Sequence, residues 1–135
     1  MNLLLDTQVL LWLAADHPRA TEQARTHLAA ARSRHVSAAS AFEIATKSRL
    51  GKLPGGRLVL DGWPLLLRNL QATELPLSAT HMARAGSLDW DHRDPFDRML
   101  VAQAQTDGLT VVTDDAAIRA FEDVRSWWPD SHTLP

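Results

Sequence analysis

Two carboxylates, two arginines and a proline stand within six residues, Arg93–Arg98, of this 135-residue chain. Local structure explains part of this density, because Asp94 suits a helix N-cap, Pro95 the first helical position and Asp97 the first turn. Further acids stand at three other places where secondary structure is predicted to change, namely Asp6, Glu43 and the pair Asp114–Asp115. Carboxylates gathered from such distant segments repel one another, so a cation must compensate them if all are to stay ionised.

Oxygen ligands favour Mg²⁺ or Mn²⁺ as that cation. The chain has no cysteine, which excludes disulfides, thiolate metal sites and a cysteine nucleophile. Its six histidines are scattered, and only His92 lies near the acids; on grounds of ligand type we expect His92 to be structural. A divalent ion held by carboxylates can activate water against a phosphodiester, so the acids are consistent with a nuclease site.

The acids need particular elements to bring them together. Asn2–Leu5 and Leu109–Thr113 are apolar runs typical of buried strands, and each is followed by an acid and then by a helical segment. In open α/β sheets the ligand site lies outside the carboxyl ends of the strands. Asp6 and Asp115 should therefore share one rim, although each is also suited to cap the helix that follows. The helix beginning at Asp94 could deliver Asp97 to the same rim.

Alternating strands and helices over the whole chain predict one α/β domain, with a mainly parallel central sheet and helices on both faces. We expect a single domain over residues 1–135, with a tail from about Pro129. The other predicted elements are a helix over 19–32, a strand Arg34–Ser37, a helix from Ala38 to about Leu50, a helix over 58–71 kinked or delayed by Pro64, a short extended piece Thr73–Pro76, a helix from Ser78 to about Ser87, a helix from Asp94 to Asp107–Gly108, a helix Ala116–Phe121 and an edge strand Val124–Trp128.

Two features each allow two interpretations. Glu43 and Lys47 are spaced i, i+4 on a helix, which is typical of a surface ion pair but also compatible with a site residue and its partner. The glycine-rich loop 51–56 is flanked by cations that could contact phosphates or simply be solvated. These cations are Lys47, Arg49, Lys52 and Arg57.

Charge and hydropathy limit the kind of protein. Fourteen Lys and Arg against 16 Asp and Glu give a formal charge of −2, so nucleic acid binding would need a local basic patch. The N-terminal residues lack the basic region and cleavage site of a signal peptide, and no apolar run reaches the roughly 20 residues that cross a bilayer. We expect a cytoplasmic protein without membrane association.

Four blocks of the sequence together resemble the PIN-domain ribonucleases, and more narrowly the VapC-type toxins of bacterial toxin–antitoxin pairs. The resemblance runs from Leu3 to about Phe121, nearly the whole chain. The Asp-Thr pair after a strand is weak evidence alone, whereas the other blocks are specific in combination. The blocks are Leu5–Thr7, Ser37–Glu43 with Lys47 and Leu50–Leu53, His92–Ala104, and Val112–Asp115.

The resemblance implies a PIN-like three-layer fold and a metal-dependent endoribonuclease with a four-carboxylate Mg²⁺ or Mn²⁺ site. The implied catalytic and metal-binding acids are Asp6, Glu43, Asp97 and Asp115. Asp115 is chosen over Asp114 because the family's fourth acid follows a Thr or Ser by two residues. Implied supporting residues are Asp94 as a cap and indirect metal partner, Asp114, Thr7 and Thr113 as hydrogen-bond donors to neighbouring acids, and Lys47 as a partner of Glu43.

The resemblance also implies an RNA substrate, a small antitoxin protein as partner, and a homodimer or a hetero-oligomer with that antitoxin. Gln8 stands where this branch often has His, and Phe42 where it often has Trp, and neither change removes an acid. The alternative is a non-catalytic PIN-like module that binds RNA or protein. A receiver or phosphatase fold is a weaker interpretation, because such sites usually need a lysine after a late strand and none follows Lys52.

Overall fold

Residues 1–129 are described by a computed structural model of the chain, and the expected tail lies almost entirely outside these residues. Strands and helices alternate through most of the described chain. In order, the elements are β1 (Asn2–Leu5), α1 (Thr7–Ala14), α2 (Glu22–Ala30), β2 (Ser33–Ser37), α3 (Ala38–Arg49), α4 (Gly56–Asp61), α5 (Trp63–Leu70), β3 (Thr73–Leu75), α6 (Ala79–Ser87), α7 (Pro95–Asp107), β4 (Thr110–Val112), α8 (Ala116–Ala120) and β5 (Ser126–Trp127).

The five strands form one parallel sheet in the order β3-β2-β1-β4-β5. Strand β1 is central: Leu5 is in register with Val36 of β2 on one side and with Val112 of β4 on the other. The chain leaves β1 toward β2 and β3, and later returns to the other side of β1 to form β4. The carboxyl ends of β1 and β4 therefore mark a topological switch point, where α/β sheets usually bind ligands.

Side chains of β1 alternate between two apolar cores. Leu3 and Leu5 pack on one face with residues of α1, α2 and α3, while Leu4 packs on the other with residues of α7 and α8. All three leucines are almost completely buried. A strand that is buried on both faces explains why its sequence is continuously apolar. The predicted class, an α/β fold with a parallel sheet between helices, is confirmed.

Most predicted elements are present, with shorter bounds at several ends. The segment predicted as one helix over 58–71 forms two helices, α4 and α5, and Pro64 lies in the first turn of α5. Proline lacks an N–H and is tolerated there, so its effect is a late start for α5. Helix α7 ends at Gly108, whose φ of 68° is the left-handed conformation that glycine adopts without strain. No helix within residues 1–129 combines the length and apolarity that crossing a membrane requires.

Candidate metal centre

Asp6 lies at the carboxyl end of β1 and caps α1. Its Oδ1 accepts a hydrogen bond of 2.9 Å from the backbone N–H of Val9, and its Oδ2 accepts one from the hydroxyl of Thr113. The residue is only 6 % exposed. Burial raises the pKa of Asp6 to about 6, opposed by the two hydrogen bonds and assisted by the charges of Asp114 and Asp115.

Thr113 joins Asp6 to Asp115 across the switch point. While its hydroxyl donates to Asp6, the same oxygen accepts a 3.0 Å hydrogen bond from the backbone N–H of Asp115. Asp115 caps α8, and its Oδ1 accepts from the N–H of Ile118 at 3.0 Å. Each of these acids uses one oxygen as a helix cap, which sets the direction of its carboxylate.

Asp97 lies in the first turn of α7 and contacts His92. The two side chains are joined by a hydrogen bond of 2.7 Å between His92 Nε2 and Asp97 Oδ2. Burial raises the pKa of Asp97 to about 6, and the neighbouring carboxylates of Asp94 and Asp115 add to the increase, whereas the His92 hydrogen bond opposes it. Asp97 is thus a half-buried acid whose negative charge is incompletely compensated.

Arg98 anchors the segment that carries His92. Its guanidinium donates four hydrogen bonds of 2.7–2.9 Å to backbone carbonyls. Their acceptors are the carbonyl oxygens of Ala85, Leu88, Trp90 and His92. One side chain of α7 therefore satisfies the irregular backbone between α6 and α7, which has few partners of its own.

Glu43 is buried on α3 and forms an ion pair of 2.7 Å with Lys47. The pKa of Lys47 is raised, first by its hydrogen bond to Glu43 and then by the charges of Glu43, Asp94 and Asp97, against the effect of burial. The pair is therefore not an isolated surface pair. Glu43 is only 8 % exposed, and the charges of Asp94 and Asp97 contribute to the raised pKa of Lys47. The expected partnership of Lys47 with Glu43 is present.

The remaining predicted residues have distinct positions. Asp94 caps α7 by accepting from the N–H groups of Phe96 and Asp97, as expected. Asp114 points to Arg19, with which it forms an ion pair. The hydroxyl of Thr7 donates to Ser40 at 2.9 Å rather than to an acid, so the role expected for Thr7 is wrong. Its bond instead ties the start of α1 to α3.

Within residues 1–129, one group of three potential metal ligands has its donor atoms within 4.8 Å of one another: His92, Asp97 and Asp115. Asp6 and Glu43 lie outside this group, although Asp6 is linked to Asp115 through Thr113. The donor set fits a divalent cation, because it offers several carboxylate oxygens and because Asp6 and Asp97 carry charges that burial destabilises. A cation there would offset the burial, and the smaller repulsion between carboxylates, that raise both pKa values.

Three residues described above, His92, Arg98 and Arg19, were not predicted from the sequence as parts of the site. His92 was set aside because carboxylates suit Mg²⁺ better, although its position five residues before Asp97 was visible in the sequence. Arg98 stood in the central motif without an assigned role. Arg19 had no usable signal, because 95 positions separate it from Asp114 and only the fold brings them together.

A parallel α/β sheet with carboxylates at the switch point defines the class of protein. The family model described as PIN domain matches residues 3–124, and the chain therefore belongs to the PIN domain family. A comparison with curated protein sequences gives no significant match.

Several solved structures share the fold over nearly their full length. A chain of VapBC2 from Rickettsia felis, bound to a DNA fragment from its promoter, has a TM-score of 0.70 at 15 % identity, covering 94 % of this chain and 98 % of its own. A chain of DNA-bound VapBC from Salmonella typhimurium has a TM-score of 0.65 at 16 % identity, covering 94 % of this chain and 97 % of its own. A chain of FitAcB from Neisseria gonorrhoeae has a TM-score of 0.64 at 21 % identity, covering 93 % of this chain and 96 % of its own.

Proposed function

We propose that this protein is a Mg²⁺- or Mn²⁺-dependent endoribonuclease and the toxin of a VapBC-type toxin–antitoxin pair. The observation that carries the proposal is the convergence of Asp97 and Asp115 at the switch point of a PIN domain, beside the buried Asp6. Asp6, Glu43, Asp97 and Asp115 are the proposed metal-binding and catalytic acids. Asp94, Asp114, Lys47 and Thr113 support them, and Thr7 supports the site only through its contact with Ser40.

The four acids would hold a divalent cation, and the bound ion would supply positive charge at the scissile phosphate and activate water for attack. The chain's own residues orient the site: backbone N–H groups and Thr113 hold Asp6 and Asp115, and Lys47 holds Glu43. Arg49 and Lys52 are exposed at the end of α3 and in the loop that follows it. We assign to them the electrostatic contact with the RNA backbone, which the net charge of −2 does not provide.

The activity is tested with a fluorescent single-stranded RNA and purified protein. We expect cleavage by the wild type with Mn²⁺ or Mg²⁺ to fall by at least about 100-fold in Asp97→Asn, because removing a ligand charge weakens both metal binding and catalysis. Asp89→Asn is the matched control, since Asp89 is an exposed acid between α6 and α7. Cleavage by Asp97→Asn at the wild-type rate, or undiminished cleavage in excess EDTA, would contradict the proposed site.

RNA binding without cleavage would favour the alternative of a non-catalytic PIN-like module. In that case Mg²⁺ and Mn²⁺ should not increase the thermal stability of the protein, because a pure binder does not need a metal at the acids. The same preparation therefore distinguishes the two functions.

An antitoxin partner is supported by the structural neighbours, one of which is described as a toxin–antitoxin complex from Klebsiella pneumoniae, with a TM-score of 0.61 at 18 % identity. We propose that such a partner places a cation, for example an arginine, against the acids. Expression of the wild type should arrest bacterial growth, Asp97→Asn should not, and co-expression of the protein encoded by a short neighbouring reading frame should restore growth. Sedimentation of the purified chain tests the proposed homodimer.

A further inference from the structure

His92 has a position that its expected structural role does not explain. Its Nε2 lies 2.7 Å from Asp97 Oδ2. One ring nitrogen of His92, one oxygen of Asp97 and one oxygen of Asp115 lie within 4.8 Å of one another. Ligand atoms around one octahedral ion lie about 3 Å apart when adjacent and about 4 Å apart when opposite. The three donor groups are therefore within about 1 Å of the spacing around one ion, a difference that small side-chain rotations can close.

His92 is held in this place by one backbone contact and two contacts of its ring. The backbone carbonyl of His92 accepts from Arg98 at 2.9 Å. Trp90 packs against the ring of His92, with ring centroids 4.8 Å apart. Trp90 also stacks on Phe121, with ring centroids 4.6 Å apart. The hydrogen bond to Asp97 completes the arrangement. An irregular segment is thus ordered around an imidazole that faces the acids, as a preorganised ligand requires.

We infer that His92 Nε2 is a direct ligand of the metal ion, together with Asp97 and Asp115, and that the site prefers Mn²⁺ to Mg²⁺. Binding of the ion would displace to solvent the proton that Nε2 and Asp97 share, because only an unprotonated imidazole nitrogen can be a ligand. The inference rests on the proposed metal-dependent function and specifies the ion. Mg²⁺ is a hard ion that takes oxygen ligands almost exclusively, whereas imidazole binds first-row transition ions well. A nitrogen in the ligand set therefore adds affinity for Mn²⁺ that Mg²⁺ does not share.

Pulsed electron paramagnetic resonance of the Mn²⁺-loaded protein tests the contact without any measurement of activity. We expect a ¹⁴N coupling of directly bound imidazole in the wild type, and its loss in His92→Gln. His27→Gln is the matched control: His27 lies on α2, stacks on Trp127 and does not belong to the group of candidate metal ligands. Circular dichroism and melting in EDTA verify that His92→Gln is folded.

Calorimetric titrations with Mn²⁺ and with Mg²⁺ give the second measurement. His92→Gln should weaken Mn²⁺ binding about tenfold or more and Mg²⁺ binding much less, so the preference for Mn²⁺ should shrink. Mn²⁺ bound without ¹⁴N coupling, or with an unchanged Mn²⁺-to-Mg²⁺ ratio, would overturn the role of His92 and leave the carboxylate site intact. A wild type that binds neither ion would overturn the proposed metal-dependent function as well.

Discussion

Asp6 and Asp97 combine burial with close neighbours of the same charge, which raises the pKa of each to about 6. In the metal-free protein at neutral pH, both are ionised in surroundings that disfavour the charge. The folded state therefore binds these protons more tightly than the unfolded chain, in which an aspartate has a pKa of about 3.8. Their contribution to stability is present at low pH and is lost as the pH rises through about 6.

Replacing Asp6 by Asn should stabilise the metal-free protein at pH 7.5 by about 1–2 kcal/mol. Asparagine has nearly the same shape, caps a helix equally well and can still accept from Val9 and bond to Thr113, but it brings no buried charge. Denaturant unfolding of both proteins in EDTA gives the difference in free energy.

The advantage of Asp6→Asn should shrink toward zero at pH 4, where the wild-type carboxyl is protonated. Because the two chains differ only at position 6, the effects of the other titrating groups cancel in the difference between their free energies of unfolding. An advantage that is absent at pH 7.5, or equal at both pH values, would show that the charge of Asp6 does not destabilise the fold.

Among individual residues, the acids of the site were easier to predict from the sequence than their hydrogen-bond partners. Asp6 and Asp115 could be placed because each caps a helix, and Asp97 because it lies in the first turn after the cap Asp94; helix caps are recognisable from neighbouring residues. Thr7 was misassigned because nothing local distinguishes a hydroxyl that points to Asp6 from one that points to Ser40, 33 positions away. Such long-range partners depend on packing, which a single sequence does not display.

The segment between α6 and α7 depends on one side chain. Arg98→Lys should lower the free energy of unfolding by about 2 kcal/mol, because an ammonium group cannot replace four guanidinium bonds to carbonyls that then lose their donors. Arg93→Lys, at an exposed position of the same segment, is the control. Hydrogen exchange of the amides of residues 86–93 should accelerate in Arg98→Lys alone; unchanged exchange would mean that other contacts order the segment.

Two glycines allow a paired test of helix α7 and helix α6. Gly108→Ala should destabilise the protein by about 1 kcal/mol, since a methyl group meets no atom within 4 Å but the backbone must keep a φ of 68°. Gly86→Ala, inside α6 and equally unobstructed, should instead stabilise it by about 0.5–1 kcal/mol. Urea unfolding of both variants measures the difference; equal effects would contradict this account of the α7 terminus.

The elements themselves were largely predictable because their boundaries carry local signals. Ser37, Ser78, Asp94 and Asp115 cap the helices that were expected to follow them. The ends of α2 and the division of α4 from α5 were less accessible. Gly62 closes α4 and precedes α5, but a sequence with apolar residues on both sides of Pro64 also fits one kinked helix.

For the whole molecule, the proposed site joins residues from distant parts of the chain: the end of β1, helices α3 and α7, and the segment after β4. Mn²⁺ at 100 times its dissociation constant should raise the free energy of unfolding by about 2.7 kcal/mol, because the ion binds the folded chain alone. Thermal unfolding with and without Mn²⁺ measures this gain. Asp97→Asn should lose it and Asp89→Asn should keep it; a gain of equal size in Asp97→Asn would place the ion elsewhere.

Strand β1 is synthesised before its neighbour β4, and more than 100 residues separate the two strands along the chain. Until β4 has been synthesised, Leu3–Leu5 have no partner strand on that side. Asp6 then lacks its hydrogen bond from Thr113, and Asp115 has not yet been added to the chain. Chains that are still being synthesised, or that are broken off before residue 115, therefore cannot assemble the acids. If the proposed toxicity is correct, a growing cell is spared from unfinished copies, and a partner needs to restrain only complete ones.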